Sequence, residues 1–77
     1  MLPKIREDAG LILKKYRKER GLSQTALAIK MNLHSPQHLW NIENEKNPLT
    51  IDRIELASKA LGVSPNVFLY KKVKQNI

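Results

Sequence analysis

Cysteine is absent from these 77 residues, which excludes a disulfide framework and any thiolate-bound metal site and is compatible with a reducing compartment. Aromatic side chains are scarce, with one Trp, two Tyr and one Phe. Acidic residues are also few. Seven Asp plus Glu stand against fourteen Lys plus Arg, leaving a net charge of +7 that suits a negatively charged partner such as nucleic acid or an anionic membrane surface. Long apolar runs are missing too. Leu11-Ile12-Leu13 and Val67-Phe68-Leu69-Tyr70 fall far short of the roughly 20 residues that cross a bilayer. The charged opening MLPKIRED contains no apolar stretch of the kind a signal peptide needs, so a cytoplasmic protein is expected, with no membrane partner.

What is present is enough for one packed domain. The hydrophobic fraction is 42%, well above that of disordered chains. A chain of this size buries only about 60% of its unfolded surface, which disfavours deep enclosed pockets and a small-molecule substrate. No internal repeat or low-complexity stretch interrupts it. We read residues 1–77 as a single domain with a core over about 6–70 and a basic tail over 71–77.

Turn and cap residues divide that core into five short helices. The first is expected over about Arg6 to Arg20, with Ala9, Leu13 and Tyr16 in helical phase and Gly21 as its stop. Ser23 caps a second helix reaching about Met31, with Leu27, Ala28 and Met31 on one face and Asn32 suited to a left-handed turn. Ser35-Pro36 opens a third that ends near Asn44. Thr50 caps a fourth in which Ile51, Ile54, Ala57, Ser58 and Leu61 keep phase until Gly62. Ser64-Pro65 opens a fifth through Tyr70. Nothing alternates with period two for long enough to make a strand, so the class is all-α.

Helices two and three, joined by a tight turn, form a helix-turn-helix whose second helix can enter a major groove. At about 100° per residue, Leu39 and Ile42 point one way while Gln37, Trp40, Asn41 and Asn44 gather on the other. Amide side chains such as Gln37 and Asn41 suit the adenine N6 and N7 edge, although the same pattern also describes an ordinary solvated helix face.

The run Gly21-Leu22-Ser23-Gln24, then Leu27-Ala28, Leu39, Ile42-Glu43 and Ala60-Leu61-Gly62-Val63-Ser64, resembles the Xre/Cro helix-turn-helix family. Phage repressors and the controller proteins of restriction-modification systems belong to that family. The resemblance covers about residues 6–70. It implies a five-helix, lambda-repressor-like DNA-binding domain, usually dimeric, that represses or activates transcription. It implies base reading by Gln37 and Asn41; Trp40, by its helical phase, and His38 are further base-reading candidates on the same helix. It implies phosphate contacts by Gln24, which also supports the recognition helix, and by Ser35, Asn44 and Lys46. It further implies a structural ion pair between Arg17 of helix one and Glu43 at the end of helix three. The chain departs from the family at three places. The turn Asn32-Leu33-His34-Ser35 is one residue longer than in the shortest relatives. Pro36 replaces a frequent base-contacting side chain. Trp40 stands where a small or polar residue is commoner, and either a core position or one against a thymine methyl or the sugar backbone fits it.

Other chemistries have little support. His34 and His38 are four apart but lack a third ligand, and neither a metal nor another cofactor is expected. Ser23, Ser35 and Ser64 read as helix caps rather than nucleophiles, and no paired carboxylates sit in an apolar setting, so the chain is not expected to be an enzyme. Val67, Phe68, Leu69 and Tyr70 cannot all face inward from a short helix. Either the tail covers some of them or they join a second copy, which would place two recognition helices about one DNA turn, ~34 Å, apart. The expected function is therefore a homodimeric regulator reading a near-palindromic site on double-stranded DNA. An antitoxin or restriction-modification controller of the same fold, or an adaptor that has lost base reading, are the alternatives.

Overall fold

The computed structural model describes residues 4–70. Four α-helices follow one another: α1 over Ala9–Glu19, α2 over Gln24–Lys30, α3 over Pro36–Glu43 and α4 over Ile51–Leu61. A single 3-10 turn over Pro65–Phe68 closes the series. The all-α class is as expected, but the fifth helix is not one. Past Phe68 the backbone is extended at Leu69 (φ −115°, ψ 156°) and meets the start of the chain. There the Arg6 N–H donates to the Phe68 carbonyl at 2.8 Å and the Tyr70 N–H to the Lys4 carbonyl at 2.9 Å, around an antiparallel bridge between Ile5 and Leu69. This pairing also explains why α1 starts at Ala9 rather than Arg6. Residues 4–6 spend their backbone groups on the chain end instead of on a helix.

The helix starts follow the expected chemistry. The hydroxyls of Ser23, Ser35, Thr50 and Ser64 each accept a backbone N–H two or three residues on, from Ala26, His38, Arg53 and Asn66. Two glycines end helices in the left-handed region, Gly21 at φ +68° and Gly62 at φ +69°, where a side chain would be strained. Asn32 adopts the same region at φ +57°, and so does Glu45 at φ +64°, which the polar stretch after α3 did not announce.

One core unites the helices. Leu13 of α1, Leu27 of α2, Leu39 and Ile42 of α3, Ile54, Ala57 and Leu61 of α4, and Phe68 are all buried together. Two expectations fail here. Ile51, counted with the buried face of α4, sits in its first turn and is 57% exposed. Phe68 is 0% exposed inside the monomer, so it cannot belong to an interface with a second copy. Its neighbours, Val67 within the turn and the extended Leu69, are half-buried against the core, and Tyr70 is 40% exposed with the Arg6 guanidinium 5.5 Å from its ring centre. The surface left for such an interface is Val67, Leu69 and Tyr70.

Gly10 sets how closely α1 meets the end of α3. A Cβ there would overlap the Ile42 carbonyl oxygen and crowd its carbonyl carbon at 3.0 Å. Only a residue without a side chain allows this approach. Glycine inside a helix costs about 1 kcal/mol relative to alanine, so its presence in an otherwise good helix was the available sign of close packing.

Candidate nucleic-acid interface

The outward face of α3 is built from behind. Arg17, buried in α1, reaches Glu43 at the last position of α3 with two charge-assisted bonds, Nε to Oε2 at 2.6 Å and Nη2 to Oε1 at 3.1 Å. The Arg17 Nη1 donates to the Leu22 carbonyl at 2.9 Å, in the segment between α1 and α2. Gln24, at the first position of α2, donates its amide to Glu43 Oε1 at 3.0 Å. The Glu43 side chain is 0% exposed, so these donors replace all of its water. Three helices are thereby tied at one carboxylate, and the bidentate fork fixes direction as well as distance. The expected ion pair is present, and Gln24 does support α3. This use of its amide nitrogen leaves the Gln24 carbonyl oxygen outside the network.

On the opposite side of α3, Leu39 and Ile42 having turned inward, Gln37, Trp40, Asn41 and Asn44 occupy an arc of about 100°. Gln37 donates from Nε2 to the Asn41 Oδ1 at 3.1 Å, one helical turn away. The bond orients both amides. Gln37 keeps its Oε1 acceptor and one N–H, while Asn41 keeps its NH2 group, so the pair presents acceptor and donors side by side. Asn44 caps the helix end, its Nδ2 donating to the Trp40 carbonyl at 2.9 Å.

The chain then doubles back. The Asn41 carbonyl accepts the N–H groups of both Lys46, at 2.8 Å, and Asn47, at 3.2 Å. The left-handed Glu45 makes that reversal possible, and it carries the Lys46 ammonium to 5.8 Å from the centre of the Trp40 ring. Trp40 itself is 39% exposed, too much for a core residue and appropriate to a surface one. Of the two places open to it, the structure selects the outer face.

His38 takes a different direction. It lies about 60° beyond Asn41 around the helix, and its ring stacks on that of His34 with centres 6.4 Å apart and planes 10° from parallel. Burial, and then the charges of Arg53 and His34, holds its imidazole below the usual histidine value. His38 thus borders the amide pair rather than joining it. Ser35 is occupied as the cap of α3, its hydroxyl accepting the His38 N–H at 3.3 Å. Among the described residues no group of three or more His, Asp or Glu is placed to hold a metal ion, and no helix is long and apolar enough to cross a membrane.

What α3 presents is therefore an amide-lined helix face, tied from behind at Glu43, with an aromatic and a cation toward its C-terminal side. Similarity to known proteins agrees with that description. The wild-type restriction-modification controller protein C.Esp1396I shares 39% identity over 80% of this chain and 79% of its own, with a TM-score of 0.69. SinR, the master regulator for biofilm formation, solved in complex with DNA, shares 35% over 78% of this chain and 95% of its own, with a TM-score of 0.68. The controller protein C.AhdI from Aeromonas hydrophila shares 25% over 77% and 88%, with a TM-score of 0.71. No curated protein sequence matches the chain. The helix-turn-helix family matches residues 13–68, which include all of α2, α3 and α4 and the buried Arg17–Glu43 pair. On that match and this geometry, the chain belongs to the helix-turn-helix family of DNA-binding regulators, in its Xre-like group.

Proposed function

We propose that the chain is a sequence-specific transcription regulator that binds double-stranded DNA as a homodimer and reads a near-palindromic operator with α3. The observation that carries this reading is the coupled Gln37–Asn41 amide pair, exposed on a helix whose far end is locked by a buried ion pair. Gln37 retains the acceptor and donor that the N6 and N7 edge of adenine requires, and Asn41 offers its NH2 group to the next base. Trp40 and the flanking His38 complete the base-facing set. Gln24, Ser35, Asn44 and Lys46 provide phosphate contacts, which set register and affinity without reading sequence. Val67, Leu69 and Tyr70 form the contact between copies. Occupancy of a promoter then excludes polymerase or recruits it.

A narrower role, control of a restriction-modification system, is favoured by the 39% identity with the C.Esp1396I controller. An adaptor role without base reading predicts weak DNA binding that lacks a preferred site and depends only shallowly on salt. Selection from a randomised DNA pool with the purified chain tests the reading. An enriched inverted repeat supports it, and Gln37→Ala should relax preference at one position per half-site, each bidentate contact being worth about 1–3 kcal/mol. Equal loss on specific and random DNA for Gln37→Ala would sink the assignment.

A further inference from the structure

We infer that Trp40 is a reader of 5-methylpyrimidine, packing its indole against the C5-methyl group of one base per half-site while Lys46 holds the adjoining phosphate. The inference rests on α3 being the base-reading helix and goes one step further, naming the chemical group its aromatic residue selects.

Three observations lead to it. Trp40 shares the outward arc of α3 with Gln37 and Asn41 and is 39% exposed, so a large apolar surface stands in water beside two amides. Its carbonyl is held twice by Asn44, accepting the backbone N–H at 2.9 Å and the side-chain amide at 2.9 Å. The Lys46 ammonium lies 5.8 Å from the ring centre, held there by the return of the loop onto Asn41. A cation against the ring leaves the rest of the indole surface for something uncharged, while that cation remains free to meet a phosphate.

The major-groove edges of the four bases are hydrogen-bond donors and acceptors with one exception, the C5-methyl of thymine. Of the two DNA partners open to an exposed Trp40, the sugar backbone and the thymine methyl, only the methyl lies on the base edges that Gln37 and Asn41 face from the same arc of α3. The alternative, an indole N–H directed at a phosphate, would duplicate the task of Lys46 and waste most of the ring. Cytosine methylated at C5 carries the same group in the same place, so the chemistry has two sources, ordinary thymine and a modified cytosine.

The test uses the full chain and the duplex enriched from the randomised pool. Each thymine is replaced in turn by deoxyuridine, which removes the methyl and leaves every hydrogen-bonding group. In the wild type one such replacement per half-site should weaken binding about fourfold, the worth of one buried carbon, and both together about fifteenfold. Trp40→Ala should bind the thymine and uracil duplexes alike. Lys46→Ala should lose affinity for both equally and keep the ratio, whereas replacement of a merely structural Trp40 would lower affinity for both duplexes and leave their ratio intact. A cytosine and a 5-methylcytosine duplex at the same position separate the sources. Tighter binding to thymine assigns the ordinary base, and tighter binding to 5-methylcytosine assigns the modified one. Trp40 is the sole tryptophan, so its emission should also differ between the thymine and uracil complexes.

The inference is overturned if neither deoxyuridine in place of thymine nor cytosine in place of 5-methylcytosine changes wild-type affinity by more than about twofold at any position, or if Trp40→Ala retains the full sensitivity. In that outcome an enriched operator and a Gln37 effect still leave α3 as the base-reading helix. A pool that yields no enriched sequence removes both readings together.

Discussion

Gly10→Ala is the substitution in which chain propensity and tertiary packing pull in opposite directions. Alanine in place of glycine adds at most about 1 kcal/mol to an isolated helix, the value for an interior position, and Gly10 is the second residue of α1. In the folded chain its Cβ overlaps the Ile42 carbonyl oxygen and lies 3.0 Å from the carbonyl carbon, both backbone atoms that cannot swing aside. Restoring an ordinary carbon–oxygen contact requires α1 and the end of α3 to part by on the order of 1 Å. Overpacking of that kind costs about 1–3 kcal/mol by itself. The same movement pulls on the Arg17–Glu43 bonds of 2.6 and 3.1 Å, because Glu43 is the residue after Ile42. Stretching a buried pair adds a further loss, so the net effect should be a destabilisation of about 2 kcal/mol or more. Urea denaturation followed by circular dichroism measures it, with a midpoint shift of roughly 2 M for a slope near 1 kcal/mol/M. Gly21→Ala is the control. Nothing lies within 4 Å of its Cβ, and φ +68° supplies conformational strain of about 1–2 kcal/mol that does not touch α3. Gly10→Ala should therefore weaken DNA binding of the folded fraction while Gly21→Ala does not. A Gly10→Ala chain with an unchanged or raised midpoint refutes the argument.

Three other outcomes follow from the same geometry. Arg17→Ala leaves the fully buried Glu43 carboxylate with Gln24 alone and should cost ~3–5 kcal/mol, much of the ~4–12 kcal/mol expected for a chain of this size, whereas Arg17→Met with Glu43→Met should recover most of it in thermal melts. Lys46→Ala should reduce the slope of log affinity against log salt by about 1 and lower affinity uniformly across sequences; a change confined to one base position would contradict its phosphate role. His38 holds its proton less tightly in the fold than in the unfolded chain, because burial opposes its charge. Its contribution is therefore complete above the unfolded value of about 6.5 and is lost as pH falls through the lower folded value, so stability should decline on acidification across this range. His38→Gln should flatten that decline in denaturation series at stepped pH, and an identical slope in the variant would exclude His38 as its source.

The charge distribution bears on where the interface lies. Residues 1–31 carry eight basic and three acidic side chains, residues 32–70 carry three and four, and the tail adds three basic ones. The surplus therefore lies on α1 and the tail, while the segment that contains α3 is nearly neutral. Net charge points to the class of partner and says little about the docking face. The docking face is legible instead from helical phase, which separates Leu39 and Ile42 from Gln37, Trp40, Asn41 and Asn44 before any packing is considered.

By itself the sequence determined the helix starts and stops, since Ser23, Ser35, Thr50, Gly21 and Gly62 act through local backbone chemistry that needs no distant partner. It also determined the buried faces of α2, α3 and most of α4, because burial follows a period that can be counted along the chain. The tertiary structure alone decided what depends on residues far apart in sequence. Val67–Tyr70 became a buried turn and an extended end because residues 4–6 offered backbone partners that no local propensity encodes. Gly10 became a close-packing position because the carbonyl of Ile42 arrives beside it, and Lys46 came to stand over the Trp40 ring because a left-handed Glu45 turns the chain back. Local rules fix which elements form, and the meeting of elements fixes which side chains remain free to bind.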